Sequence, residues 1–293
     1  MMFVDTSMLV RRCLAKMDFL KNSSGTPTGM EFGTLRTLEM LEKKYPAHQI
    51  VLCLDSKSSW RKDISKEYKS DRKKLDDCTR SRMNEFTDFL RCLYPTSIKP
   101  HYEADDVLYA LARSQPGAHY IYTNDHDLLQ AVCDARQIKV LKSWNSKLFE
   151  WTEGKVIKEY GVRPSRLAAY RAFLGDPSDN LTGVERIDKK LLAALINWCF
   201  SRGNNLSEML VQIKTADWGS TKLTTRVNQF INSEHWWNNY NLMRLIEDPT
   251  IEIELPVEDT DQVVSCLKRW EIASLNLCKE YKDQLTDSLS DEF

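Results

Sequence analysis

Three short apolar runs in the first half of the chain end on carboxylates: Met2-Phe3-Val4 before Asp5, Val51-Leu52-Cys53-Leu54 before Asp55, and Ile121-Tyr122-Thr123-Asn124 before Asp125-His126-Asp127. Such runs predict buried strands, and in an open α/β sheet ligands bind at the carboxyl ends of parallel strands. A Glu103-Ala104-Asp105-Asp106 cluster and an Asp176-Pro177-Ser178-Asp179 pair bring the acids in these motifs to nine. Nine ionised carboxylates in one partly dry cleft repel one another by on the order of several kcal/mol unless hard dications sit among them. The pattern predicts Mg²⁺, with Mn²⁺ as a substitute.

The spacing around these acids predicts an α/β fold with a mostly parallel central sheet flanked by helices. Val107, Leu108, Leu111 and Ala112 recur at helical intervals after Glu103. This places Glu103 and Asp106 on one face of a first turn, at the positive end of the helix dipole, with Asp105 beside them. His119 to Thr123 reads as a strand, Asp127 to Cys133 as a short helix, Ile138 to Leu141 as a strand, and Leu148 to Trp151 as a hairpin arm. Thr152 caps a helix that Gly161 stops after Tyr160, and Pro164 opens a helix over Ser165 to Leu174. Gly175 to Asn180 reads as a loop and Asp188 to about Cys199 as a Lys-rich helix. From Trp151 on the chain reads mainly helical, with no single element assigned between Gly203 and Asn239.

Composition narrows the class. The chain has 293 residues, 42% hydrophobic, enough for one large or two modest domains. Its eight cysteines show no CxxC pair, so disulfides and structural zinc are not expected. No apolar stretch spans a bilayer and no signal peptide opens the chain, so a reducing cytoplasm is expected. The formal net charge is −1, but setting nine acids aside leaves 33 against 41 Lys and Arg, a basic remainder of +8. Between residues 57 and 74 stand Lys57, Arg61, Lys62, Lys66, Lys69, Arg72, Lys73 and Lys74, interleaved with Trp60 and Tyr68. Cations beside aromatics fit a nucleic-acid surface, the first holding phosphates and the second stacking on bases. No GxxxxGK[ST], GxGxxG or GxSxG occurs, which sets aside a P-loop ATPase, a dinucleotide enzyme and a serine hydrolase.

The order Asp5, Asp55, Glu103-Ala-Asp105-Asp106, Thr123-Asn-Asp125-His-Asp127 and Gly175-Asp176-Pro-Ser-Asp179-Asn180 resembles the motif order of the 5′-nuclease superfamily. Over residues 1 to 255 the chain looks like flap endonucleases and the 5′-3′ exonuclease domain of bacterial DNA polymerase I. The resemblance implies a PIN-like nuclease core over 1–163, with a basic arch and gateway over about 57–90. It also implies a helical DNA-binding subdomain over 164–285, and an acidic tail over 286–293 closes the expected layout. Asp5, Asp55, Glu103, Asp105 and Asp106 match acids gathered at a first metal, and Asp125, Asp127, Asp176 and Asp179 those at a second, several acting through metal-bound water. Asp5, Asp55 and Asp127 are expected to be essential to catalysis. Tyr68-Lys69-Ser70-Asp71-Arg72 resembles the segment whose Lys and Arg reach the scissile phosphate, which makes Lys69 and Arg72 the expected electrostatic catalysts. Trp60, Arg61, Lys62, Tyr68, Lys73 and Lys74 are expected at the DNA, Tyr68 stacked on an unpaired nucleotide.

Where the family carries a Gly-rich helix-hairpin-helix, near 175–199, this chain reads Gly183-Val-Glu-Arg186-Ile-Asp188-Lys189-Lys190. Arg186 and Asp188 replace two glycines, so an altered hairpin turn is expected and the family's K⁺ site is in question. Gly183, Arg186, Lys189 and Lys190 are the expected duplex contacts there. Similar length and a divergent segment at this point also mark the phage ribonuclease H branch. The expected enzyme trims 5′ flaps, nicks or RNA primers on duplex DNA in replication or repair. Its expected partners are branched or nicked duplexes and RNA-DNA hybrids with a free 5′ end, with a single-strand-binding protein, sliding clamp or polymerase as possible protein partners. A monomer is expected, and no membrane. The competing readings are a catalytically silent junction binder on this fold and a PIN-type ribonuclease.

Overall fold

A computed structural model describes residues 1–72, 75–145, 147–275 and 281. Six strands form one sheet: β1 (Met2–Asp5), β2 (Ile50–Cys53), β3 (Thr96–Ser97), β4 (His119–Tyr122), β5 (Ile138–Trp144) and β6 (Lys147–Trp151), in the order β3-β2-β1-β4-β5-β6. The first five run parallel and β6 pairs antiparallel to β5. β1 and β2 are buried along their whole length, as strands covered on both faces must be. In the central pair, Met2 lies opposite Ile50 and Asp5 opposite Cys53, so the carboxylate ends the strand at the sheet edge.

The helices are α1 (Thr6–Met17), α2 (Gly29–Lys44), α3 (Trp60–Ile64), α4 (Asp77–Leu93), α5 (Ala104–Ser114) and α6 (Glu153–Tyr160), followed by α7 (Leu167–Leu174), α8 (Lys189–Ser201), α9 (Leu206–Thr215), α10 (Thr221–Asn232), α11 (His235–Met243) and α12 (Thr260–Trp270). Strand alternation splits the core. Met2, Val4 and Leu52 pack against α1, α2, α4 and α12, whereas Phe3, Val51 and Ile121 pack against α5. The second core runs without a break into α7 to α11, through Phe173, Ile196, Val227 and Trp236. The sheet half and the helical half therefore share one interior.

Parts of the expected layout meet a different arrangement. The helical half was expected to run to 285, but from Glu254, bridged to Thr96, the chain returns to the sheet. Val263, Leu267 and Trp270 of α12 bury against Phe86 and Phe89, with the Trp270 and Phe89 rings 4.8 Å apart. The stretch between Gly203 and Asn239 forms α9, α10 and most of α11. Asn205 and Glu208 make a reciprocal capping box that opens α9. Trp236, with no exposure, fills the space beside Phe173, and this packing overrides the weak helical pattern of Trp236-Trp237-Asn238-Asn239. The expected helix after Asp127 is a 3₁₀ turn throughout, Asp127–Ala131, and the one after Pro164 opens as the 3₁₀ turn Pro164–Arg166. Lys73, Lys74 and the acidic 286–293 segment lie outside the described residues. No helix among the described residues is long and apolar enough to cross a membrane.

Candidate active site

Each sheet-edge acid is fixed by a donor next to it. Asp5 ends β1 and also caps α1, its Oδ1 accepting from Met8 N at 2.9 Å while Oδ2 accepts from Thr123 Oγ1 at 2.8 Å. Thr123 Oγ1 in turn accepts from Asp125 N at 3.0 Å, and Asp125 Oδ1 accepts from Asp127 N at 2.7 Å. One ladder of hydrogen bonds thus runs from β1 through the β4 loop. Asp55 Oδ1 accepts from Ala104 N at 2.8 Å, so an acid after β2 caps the helix that carries Glu103 and Asp105.

The crowding shows in proton affinity. Burial, aided by the charges of Asp55 and Asp125, lifts the Asp5 carboxyl from the ordinary 3.8 to about 7. Asp127 also rises to about 7, because burial and the charges of Asp125, Asp176 and Asp179 outweigh the nearby Arg171. Asp105 is pushed well up by burial and by Asp125 and Asp5. Burial would raise Glu103 as well, but Lys69 and Arg61 together hold it below its usual range. The donors are all carboxylate oxygens, a set suited to a hard dication.

Protein cations stand among these acids. Lys69 Nζ lies 2.8 Å from Glu103 Oε2, and Arg72 Nη2 lies 2.5 Å from Asp179 Oδ1. Lys69 adopts φ +57°, a left-handed conformation uncommon for a non-glycine residue. Its amide donates to the Asp179 carbonyl, and Asn180 Nδ2 donates to the Glu67 carbonyl. These contacts lay the gateway segment over the 175–184 loop. With oxygens of Glu103, Asp127, Asp176 and Asp179 drawn onto lysine or arginine, no three acid, histidine or cysteine side chains among the described residues are arranged to hold a metal ion.

The 175–184 loop owes its shape to glycine. A Cβ on Gly183 would sit 2.0 Å from the Leu174 carbonyl oxygen, and one on Gly175, at φ +72°, 2.4 Å from Gly183 N. This close approach lets Asp176 N donate to Leu181 O at 2.8 Å and Val184 N to Phe173 O at 2.8 Å. Asn239 Nδ2 ties the loop down through Ala172 O and Thr182 O, each at 2.9 Å. Asp176 and Asp179 are thereby presented toward Asp127.

Arg171, which the sequence reading missed, joins them. It donates to Asp127 and, at 2.7 Å, to Asp176 Oδ2. Its signal was a single charge in the otherwise apolar helix Leu167 to Leu174.

Several expected DNA contacts are placed elsewhere. Arg61 is 2% exposed and forks onto Asp106, which has no exposure, at 2.5 and 2.8 Å. Both Asp106 oxygens are engaged by Arg61, whose Nη1 also reaches Glu103 Oε2 at 3.3 Å. Trp60 turns inward, its indole N–H donating to Asp106 at 3.1 Å. Tyr68 is buried with Leu181, Leu242 and Met243, its hydroxyl donating to Glu103 at 3.2 Å, so its ring offers no stacking face. In each case a neighbouring carboxylate draws the polar end inward. Gly183 acts through close packing. Lys62, Arg72, Arg186, Lys189 and Lys190 are exposed.

At the hairpin, the turn was expected to change where Arg186 replaces glycine. Arg186 takes φ +57°, a left-handed position that costs a non-glycine residue about 1–2 kcal/mol. Asp188 caps α8, accepting from Lys190 N and Leu191 N at 2.9 and 3.0 Å. Those amides, which an anion would otherwise use, are taken.

Comparison with known proteins agrees with this layout. Residues 1–161 match the family model for the 5′-3′ exonuclease, N-terminal resolvase-like domain. A 5′-3′ exonuclease of Aquifex aeolicus is 34% identical over 192 residues, covering 64% of this chain and 65% of that protein. DNA polymerase I of Bacillus subtilis is 27% identical over 264 residues, covering 87% of this chain and 29% of the polymerase. The bacteriophage T5 D15 flap endonuclease, solved as a pseudo-enzyme-product complex with DNA and metal ions, superimposes with a TM-score of 0.62 at 16% identity over 98% of this chain and 97% of its own. The chain belongs to the 5′-3′ exonuclease family.

Proposed function

We propose that the chain is a structure-specific, divalent-metal-dependent 5′-nuclease that hydrolyses phosphodiester bonds at 5′ flaps, nicks or RNA primers on duplex DNA. The observation that carries this reading is the meeting of acids from two strand ends, the α5 turn, the β4 loop and the 175–184 loop beneath a gateway bearing Lys69 and Arg72. Asp5, Asp55, Glu103 and Asp105 would hold one ion, Mg²⁺ in the cell, and Asp125, Asp127, Asp176 and Asp179 a second. Bound there, the pair would supply an activated water and charge neutralisation at an in-line displacement.

The side chains do the rest. Lys69 and Arg72, now resting on Glu103 and Asp179, turn toward the scissile phosphate and offset the charge developing on its oxygens. Lys62, Arg186, Lys189 and Lys190 take duplex phosphates, the last two as mobile point charges beside a helix start already capped by Asp188. That cap replaces amides with a carboxylate at the hairpin, so side chains rather than backbone grip the duplex there. Single-strand-binding, clamp or polymerase partners would bring the enzyme to such junctions.

A 5′-labelled flap duplex and a single-stranded RNA, each incubated with Mg²⁺ and again with chelator, test the reading. Metal-dependent release of the flap with little cutting of the RNA is expected. Cleavage that survives the chelator, or none of either substrate, overturns it.

A further inference from the structure

Arg61 was read from sequence as a DNA contact, yet its position points to another role. A guanidinium has five N–H donors, and here each has an acceptor. Nε donates to Leu242 O at 2.7 Å and Nη2 to Arg244 O at 3.1 Å. Nη1 reaches Asp106 Oδ2 at 2.5 Å and Glu103 Oε2 at 3.3 Å, while Nη2 also takes Asp106 Oδ1 at 2.8 Å. Leu242 lies in the last turn of α11 and Arg244 caps it, so Arg61 serves carbonyls that the helix end leaves unpaired. Asp106 lies in the first turn of α5. The Trp60 ring closes over the guanidinium, its centroid 4.5 Å away.

One side chain therefore joins the negative end of α11, in the helical half, to the acid-bearing end of α5. Glu103 Oε2 receives Arg61, the Lys69 ammonium at 2.8 Å and the Tyr68 hydroxyl at 3.2 Å. The gateway lysine and the helical half are thus registered on a single carboxylate oxygen.

We propose that Arg61 is a positioning residue for cleavage: it fixes Glu103, and through it Lys69, relative to the helical half that seats the duplex, with Asp106 as its internal counter-ion and not a metal ligand. The inference rests on the nuclease reading above. Its physical content is geometric. A duplex held by α7 to α11 reaches the acids only as accurately as the two halves are registered, and small misplacements of reacting groups are costly. A lysine at 61 keeps the charge but cannot fork to four residues at once.

Two variants test this. Arg61→Lys should lower turnover on a flap duplex by about 10- to 100-fold, as loss of an orienting partner does, and leave the dissociation constant for the duplex nearly unchanged. The paired variant Arg61→Met with Asp106→Leu replaces the buried ion pair by apolar groups of similar size, an exchange that commonly preserves stability. It should melt near the unaltered chain and bind the same number of Mn²⁺ ions in titration calorimetry, yet remain slow. Recovery of turnover with stability in the paired variant, loss of a Mn²⁺ ion, or an Arg61→Lys defect equal in binding and turnover would each overturn the proposal. If the paired variant does not fold, the split between binding and turnover in Arg61→Lys decides. Absence of any cleavage by the unaltered chain would instead defeat the nuclease reading, and the Mn²⁺ isotherm of Arg61→Lys, expected about 10-fold weaker than the unaltered one, would then judge Arg61 alone.

Discussion

The acids at the sheet edge and the acids around the 175–184 loop reach neighbouring positions by different physics. Asp5 and Asp55 are held by neutral donors at element ends: an α1 amide, the Thr123 hydroxyl and the α5 amide of Ala104. Asp127, Asp176 and Asp179 are held by arginines from other elements, Arg171 and Arg72. The first group is built into the sheet, where burial and, after it, the charges of Asp55 and Asp125 raise the proton affinity of Asp5. The second is partly neutralised and depends on two glycines, Asn239 and the gateway to hold its loop. Asp127 is raised as far as Asp5 despite Arg171, so a dication has repulsion to relieve in both groups but arginines to displace only at the loop.

The largest expected effect tests the sheet-edge group. Asp5→Asn should reduce turnover by more than the ~10²–10³-fold typical of losing one electrostatic donor, while single-turnover assays still show duplex binding. Activity within tenfold of the unaltered chain would remove Asp5 from the chemistry. Next comes Lys69→Ala, expected to lower turnover ~10²-fold with little change in duplex affinity; equal losses in both would make Lys69 a binding residue only. Arg171→Met sharpens the contrast. It should lower activity about 10- to 100-fold and perturb Mn²⁺ binding at the loop acids while sparing the tighter sheet-edge event, as read by calorimetry.

A smaller effect appears in pH. A folded carboxyl that keeps its proton to higher pH than the unfolded chain makes stability fall as pH rises between the two values. Asp5 and Asp127, raised from 3.8 to about 7, should therefore make the metal-free protein melt progressively lower toward pH 7. Asp176 and Glu103, held below their usual range, act in the opposite sense only at more acidic pH. Excess Mn²⁺, which binds the ionised form, should flatten or reverse the trend. A melting temperature that climbs from pH 5 to 7 without metal would contradict the repulsion assigned to these acids. Last, Gly183→Ala should cost roughly 1–3 kcal/mol of stability through overpacking against the Leu174 carbonyl, measured by urea unfolding.

Much of this was legible residue by residue. The runs before Asp5, Asp55 and Asp125 are strands or strand ends because uninterrupted apolar segments of that length fit a sheet covered on both faces. Thr152 and Gly161 bound α6 as caps do anywhere. The basic segment was legible only as charge. Its pattern of Trp60, Arg61 and Tyr68 among lysines resembles a nucleic-acid surface, yet those three face inward because Glu103 and Asp106, more than thirty positions away, supply partners. Arg171 was passed over for the converse reason: one arginine in an apolar helix reads as a surface residue until Asp127 and Asp176 are seen beside it.

By itself the sequence determined the kind of site: which acids exist, that strands and a helix start carry them, and that hard oxygen donors imply a divalent ion. These follow from local rules, since apolar runs, caps and dipoles act within a few residues. Tertiary structure decided which charges face the cleft and which neutralise one another inside the protein. That choice depends on pair distances and burial between remote segments, because Coulomb energies and desolvation costs are set by position in space, and a linear order of residues does not specify it.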